Sequence, residues 1–96
     1  MKEMIKDWLF LVNLEGQSGA ELAKYFRKIK GYKKIERRGP EEVTYEKKGL
    51  LGMADGAVWI GDGSFMVHCD VETRDLIKKG IDELSIYVAI YECLAI

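Results

Sequence analysis

The amino-acid sequence predicts an α+β domain of two layers, in which a mixed sheet of about six strands carries two helices on one face, in the order β-α-β-β-β-β-α-β. Two segments place apolar residues at helical spacing. Six others alternate with a period of two, or form short apolar runs beside turn residues. Ninety-six residues leave room for one hydrophobic core, so we expect a single domain over residues 1–96.

The first strand and helix have the strongest local signals. Residues 8–14 (WLFLVNL) are apolar on both faces, which is typical of a strand that is covered on both sides or held centrally in a sheet. Ser18 and Glu21 have the capping-box spacing of a helix N-terminus, and Gly31 is the residue type expected just after a last helical turn. The apolar stripe of this helix is expected to consist of Leu22, Phe26 and Ile29.

Four strands are predicted in the middle of the chain. They cover residues 32–37, 42–47, 57–60 and 64–71. The first two flank a turn at 38–41, and their many Lys and Glu residues suit sheet edges that are protected against unwanted pairing. A loop over 49–56 follows, and the last two strands flank Asp62-Gly63, a pair that favours a tight hairpin turn.

A second helix and a sixth strand complete the predicted fold. The helix begins near residues 70–73, and we expect Gly80 to interrupt it, because glycine costs roughly 1 kcal/mol against alanine inside a helix. Its buried side is expected to consist of Ile77, Ile81 and Leu84. Residues 85–94 alternate with a period of two, which is typical of an interior strand, and we expect this strand to lie beside the first.

Cysteine usage and hydropathy narrow the class of protein. Cys69 and Cys93 are too few for the disulfide framework of a small secreted domain. We expect two reduced thiols, the alternative being one bridge between them. No apolar run approaches the roughly 20 residues that a membrane helix requires. These observations favour a cytoplasmic protein without membrane contact, and we expect no cofactor.

Charge is distributed unevenly along the chain. The formal net charge is −1, but residues 24–48 contain ten Lys and Arg against four Glu, whereas residues 49–96 contain three against eight Asp and Glu. Basic residues interleaved with aromatic ones suit phosphate contacts and base stacking. On this hypothesis, the nucleic-acid-binding residues are Lys24, Arg27, Lys28, Tyr32, Lys33, Lys34, Arg37 and Arg38, with Tyr25 and Phe26 among them. One alternative is a solvated helix face followed by a charged edge strand. Another is that the oppositely charged segments attract each other and give head-to-tail or two-fold self-association.

Two further segments contain residue types found in ligand and catalytic sites. Five glycines between residues 49 and 63 follow Lys47-Lys48, but strands and not a helix come after them, so turns explain them better than a phosphate cradle does. On a strand, His68 and Asp70 share a face that Cys69 does not, which gives fewer ligands than zinc requires. A small hydrolytic or metal-dependent enzyme around His68 and Asp70 is one hypothesis. The alternative is structural, with Asp70 capping a helix and Cys69 packing inward.

Several short motifs lie between residues 9 and 60. They are Leu14-Glu15-Gly16, Glu42-Val43-Thr44-Tyr45, Lys47-Lys48-Gly49-Leu50-Leu51-Gly52 and Gly56-Ala57-Val58. Together with the first helix, they resemble the N-terminal domain of Jag-type proteins, a β-α-β-β module with a Lys-Gly-Phe/Leu-Leu/Phe-Gly turn before its last strand. Jag proteins continue into a KH domain and a second nucleic-acid-binding domain, and nothing after Ile60 resembles either. The resemblance implies a small accessory module associated with RNA-binding proteins.

The residues together indicate a non-enzymatic binding or regulatory module that acts through protein–protein contacts, as a homodimer. The chain is small, and no catalytic set has a recognisable spacing. If one sheet edge is open, its unpaired backbone groups and the side chains of Tyr87, Tyr91 and Cys93 would face a second copy. RNA binding through the basic segment 24–38 is the alternative function.

Overall fold

The computed structural model describes residues 5–93. Its elements are β1 (Lys6–Asn13), α1 (Gly19–Lys30), β2 (Gly31–Arg38), β3 (Glu41–Lys48), one 3₁₀ turn (Leu50–Met53), β4 (Gly56–Gly61), β5 (Ser64–Cys69), α2 (Val71–Asp82) and β6 (Tyr87–Cys93). This is the element order that the sequence predicts, and the α+β class is confirmed. Neither helix in this part of the chain is long and apolar enough to cross a membrane.

The sheet differs from the prediction. Four strands form an antiparallel sheet in the order β4-β5-β1-β6, while β2 and β3 pair only with each other. The expectation of one mixed six-stranded sheet is therefore wrong. Strands β2 and β3 contain no buried residue, so this hairpin has no apolar face to pack on the sheet. We call the hairpin Gly31–Lys48 the arm.

The arm is an insertion in a familiar arrangement. Without β2 and β3 the elements run β-α-β-β-α-β through one antiparallel sheet, which is the ferredoxin-like order. The arm lies between α1 and β4. The molecule measures 54 × 37 × 23 Å, long for a chain of this size.

Both helices lie on one face of the sheet, as predicted. The inner face of the sheet presents alternate residues of β1 and β5, and the two helices cover them with their own buried residues. The buried core consists of Trp8, Phe10, Val12, Tyr25, Ile29, Phe65, Val67, Cys69, Ile77, Ile81 and Ile86. Phe10 stacks on Phe65 with ring centroids 4.8 Å apart.

Tyr25 lies at the centre of the α1 contact, where the sequence predicted Leu22 and Phe26. Tyr25 is fully buried, whereas Leu22 and Phe26 are half-buried. The Tyr25 hydroxyl donates to the carbonyl O of Gly63 in the β4–β5 turn. Gly63 has a φ of +85°, and a Cβ there would overlap the Leu14 side chain, so glycine is required at this turn.

The predicted starts of both helices and the predicted end of α1 are confirmed, but the predicted break at Gly80 is not. Leu84, expected on the buried side of α2, lies beyond the end of that helix and is half-buried. Ser18 Oγ accepts a hydrogen bond from the Glu21 N–H at 3.2 Å, and Gly31 ends α1 with a φ of +81°. Helix α2 runs from Val71 to Asp82 through Gly80, which is buried against the Leu50 side chain. Glycine at this position makes room for Leu50, so its small size serves packing between the 3₁₀ turn and α2.

Strand β6 lies beside β1, as predicted, but it is not an interior strand. Within residues 5–93 it pairs with β1 alone and forms one edge of the sheet. Its alternation has another cause. Val88 and Ile90 face the helices, while Tyr87, Ala89 and Tyr91 face the opposite side of the sheet, which no element of the described chain covers.

Candidate interaction surfaces

The side of the sheet that faces away from the helices is apolar, and we call it the open sheet face. A row of apolar side chains crosses all four strands. By strand register, this row consists of Val58 on β4, Met66 on β5, Leu9 on β1 and Tyr91 on β6. Antiparallel partners point to the same side of a sheet, so these four side chains are neighbours.

Exposure on this face is high for apolar residues. Leu11, Val58, Tyr87 and Tyr91 have between 44% and 72% of their surface in contact with solvent. No Lys or Arg lies at an outward position of the four strands. An exposed apolar face of this kind, whose only charged side chains within residues 5–93 are the paired Asp7 and His68, marks a candidate interaction surface.

The predicted interface residues Tyr87, Tyr91 and Cys93 all lie on the open sheet face. Sequence reasoning did not extend the surface beyond β6. Val58 and Met66 lie in the strands of the β4–β5 hairpin, far along the chain from β6, and only strand pairing brings them into one row with Tyr91. Alternation in each strand was a signal for an outward apolar side, but the order of the strands was not available from it.

His68 and Asp70 do not form a common site. His68 Nδ1 lies 2.8 Å from Asp7 Oδ1, and this exposed pair is on the open sheet face. Asp70 instead caps α2, where its carboxylate accepts from the Thr73 N–H at 2.8 Å. This hydrogen bond lowers the pKa of Asp70. The partnership of Asp7 with His68 was missed because it joins positions 61 residues apart.

The cysteines are both free, and Cys69 packs inward as the structural alternative predicted. Burial, with the nearby Asp70 carboxylate, raises the pKa of Cys69 to about 11. Cys93 is half-buried. In residues 5–93 no three His, Cys, Asp or Glu side chains are grouped closely enough to hold a metal ion.

A second surface lies on the helix side, where α1, the base of the arm and the 3₁₀ turn meet. It is a cleft of about 600 Å³, which we call the cationic cleft. Its floor is apolar and is formed by Leu50, Met53 and Leu84, with Tyr32 on one wall. Among residues 5–93, five cations and no carboxylate line it. The cations are Lys24, Arg27, Lys28, Lys47 and Lys48.

The predicted nucleic-acid-binding residues are divided by the fold. Lys24, Arg27, Lys28 and Tyr32 line the cationic cleft. Lys33 and Lys34 lie further along β2 and line an adjoining hollow with Arg27 and Tyr32. Arg37 and Arg38 are at the far end of the arm, opposite Glu42 and Glu41. The basic segment is therefore not one continuous positive face.

Two aromatic residues of the basic segment belong to the interior. Tyr25 is in the core, and Phe26 packs near Trp59 with ring centroids 5.8 Å apart. The Lys30 ammonium lies 4.6 Å from the Trp59 ring centroid and so joins this cluster. Of the three aromatic residues in the predicted patch, Tyr32 alone is exposed, at 48%.

The base of the arm is held closely against α1. A Cβ at Gly49 would overlap the carbonyl O of Ile29 and the N of Gly31, so both glycines permit direct backbone contact there. Lys48 is opposite Gly31 and Lys47 is opposite Tyr32 across the hairpin. This contact positions Lys47 and Lys48 beside the lysines of α1, which the sequence spacing did not predict.

One cation of the cleft is paired with Glu83, the residue that follows α2. Lys28 Nζ donates to Glu83 Oε2 at 2.7 Å, and this hydrogen bond lowers the pKa of Glu83. The other four cations of the cleft form no ion pair within the described residues.

No family model, no curated protein and no solved structure matches the chain, so the resemblance to the Jag N-terminal domain stays a prediction.

Proposed function

We propose that this chain is a small protein-interaction module that pairs with a second copy through the open sheet face. The apolar row of Val58, Met66, Leu9 and Tyr91 across the whole sheet carries the proposal. An apolar sheet face is normally buried against another element. A second sheet stacked about 10 Å away would bury this one.

The charge of the face favours a copy of the same chain. A two-fold interface brings a patch against itself, so a charged patch would repel its own copy. Asp7 and His68 are the two ionisable Asp, Glu, Lys, Arg or His residues at outward positions of the four strands, and they pair with each other. A second copy therefore meets little electrostatic opposition.

The area of the face predicts a weak dimer. Four strands of about six residues cover roughly 19 by 20 Å, or about 400 Å² on each protomer. Specific stable complexes bury about 800 Å² per partner. We therefore expect a reversible dimer with a Kd in the micromolar range, which depends only mildly on salt because its contacts are apolar.

Sedimentation velocity and light scattering between about 5 and 500 µM would test the proposal. Val58→Glu and Tyr91→Glu should both abolish the dimer, since each places a charge in the stacked faces. Ile35→Glu is the matched control, because Ile35 is 55% exposed on a strand of the arm. Lys33→Glu should likewise leave the dimer intact.

Two results would contradict the proposal. A wild-type chain that stays monomeric at 500 µM would remove the dimer. A Val58→Glu variant that dimerises normally while Tyr91→Glu does not would place the contact at the β6 edge, because β4 and β6 are at opposite edges of the sheet.

A further inference from the structure

We infer that the cationic cleft binds a nucleotide, with its phosphate on the lysines and its base against Tyr32. The inference does not depend on self-association, since the cleft is lined by α1, the arm, the 3₁₀ turn and Leu84, on the helix side of the sheet. Its volume of about 600 Å³ lies within the range of small-molecule sites.

Cations reach the cleft from two separate parts of the chain. Lys24, Arg27 and Lys28 are spaced i, i+3 and i+4, and so lie on one face of α1. Lys47 and Lys48 come from the end of β3. Among residues 5–93 no carboxylate lines the cleft, and four of its five cations form no ion pair. These cations repel one another, and a bound anion would relieve the repulsion.

The apolar floor indicates which class of anion the cleft would bind, namely one with a flat apolar group. Leu50, Met53 and Leu84 offer nothing to a bare inorganic anion. An acyl chain needs an enclosed tunnel, whereas Tyr32 and Met53 are each about half exposed. A nucleobase needs only one face covered, and stacking on a tyrosine ring covers it.

The positive charge is greatest at the base of the arm, and an adjoining hollow lined by Arg27, Tyr32, Lys33 and Lys34 continues it along β2. Beyond Tyr32, Lys34 Nζ is paired with Glu36 Oε1 at 3.0 Å, and Lys33 is opposite Glu46. The site therefore holds about one nucleotide with its flanking phosphates. The same chemistry is offered by a free nucleotide and by one unit of a single strand.

Fluorescence anisotropy with a labelled six-nucleotide oligoadenylate, competed by AMP or inorganic phosphate, would test the inference. With about two phosphates neutralised, the affinity should fall about 7-fold between 50 and 200 mM salt. Tyr32→Ala should weaken binding by about 5- to 100-fold, and Lys24→Ala combined with Lys47→Ala should weaken it further. AMP should displace the probe at concentrations where phosphate does not.

Two variants serve as controls, and circular dichroism would check that each variant is folded. Tyr87→Ala removes an exposed tyrosine on the opposite side of the sheet, and Arg37→Ala with Arg38→Ala removes two cations at the end of the arm. Neither should change the affinity.

If the probe does not bind at 50 mM salt, or if Tyr32→Ala and Tyr87→Ala weaken its binding equally, the inference is wrong. If phosphate displaced the probe as strongly as AMP does, the cleft would bind the phosphate group alone and Tyr32 would not bind a base. Binding of the oligonucleotide without displacement by AMP would assign the site to the strand form of the ligand.

Discussion

Replacing Tyr25 with phenylalanine tests whether one buried hydrogen bond ties α1 to the β4–β5 turn. The Tyr25 hydroxyl donates to the carbonyl O of Gly63, and both residues are buried. Phenylalanine keeps the ring and its edge contact with Phe26, but leaves the buried carbonyl without this donor. An unsatisfied buried acceptor costs about 1–3 kcal/mol. In a domain of this size that lowers Tm by about 5–20 °C.

Thermal and urea unfolding followed by circular dichroism would measure the effect. Tyr32→Phe is the matched control, because Tyr32 is half exposed, and we expect it to lie within about 0.5 kcal/mol of wild type. Burial raises the pKa of Tyr25 above its ordinary value of 10.0. Because the hydroxyl ionises more easily in the unfolded chain, the stability that it contributes is present below pH 10 and is lost as the pH rises above 10. Tyr25→Phe should therefore also reduce the loss of stability at alkaline pH. A Tyr25→Phe variant as stable as the control would refute the reasoning.

Two other substitutions and a labelling experiment follow from local packing. Gly49→Ala should destabilise the chain by about 1–3 kcal/mol and weaken nucleotide binding, because the new Cβ meets backbone atoms of Ile29 and Gly31. Gly56→Ala is the control, since its Cβ has open space around it, and it should change neither the stability nor the binding. Cys69 is buried and its pKa is raised to about 11, so only about one thiol in a thousand is ionised at pH 8. After iodoacetamide treatment, mass spectrometry should therefore find Cys69 unmodified until urea unfolds the chain. Rapid modification of native Cys69 would contradict its buried placement.

Local chemistry predicted the elements of this fold well. Ser18 and Glu21 marked the start of α1, and Asp62-Gly63 marked the β4–β5 turn. Tyr25 was misplaced although its spacing contained the signal, since residues 22, 25, 26 and 29 all fall on one helical stripe. A basic neighbourhood made Tyr25 resemble a ligand-contacting residue, and its burial decided otherwise.

The pairing of the strands was beyond the reach of local patterns. Strands β2 and β3 alternate without an apolar face, and such strands specify their partner weakly. Their separation from the sheet leaves β6 as an edge and creates the cleft at the base of the arm. Both candidate surfaces therefore depend on long-range contacts, namely the row across four strands and the approach of Gly49 to Ile29.

The two proposed sites lie on opposite sides of the sheet, and this makes their relation testable. A dimer stacked through the open sheet faces would direct its two cationic clefts outward, away from each other. A strand of six nucleotides would then occupy one cleft, while a strand several times longer could engage both and gain affinity from the second, intramolecular contact. We therefore expect Val58→Glu to leave the affinity for the six-nucleotide probe unchanged and to weaken binding of a 40-nucleotide strand at protein concentrations that favour the dimer. Ile35→Glu should change neither affinity. If Val58→Glu weakened the short probe as much as Tyr32→Ala does, the sites would be coupled through the core and the separation of the two surfaces would be wrong.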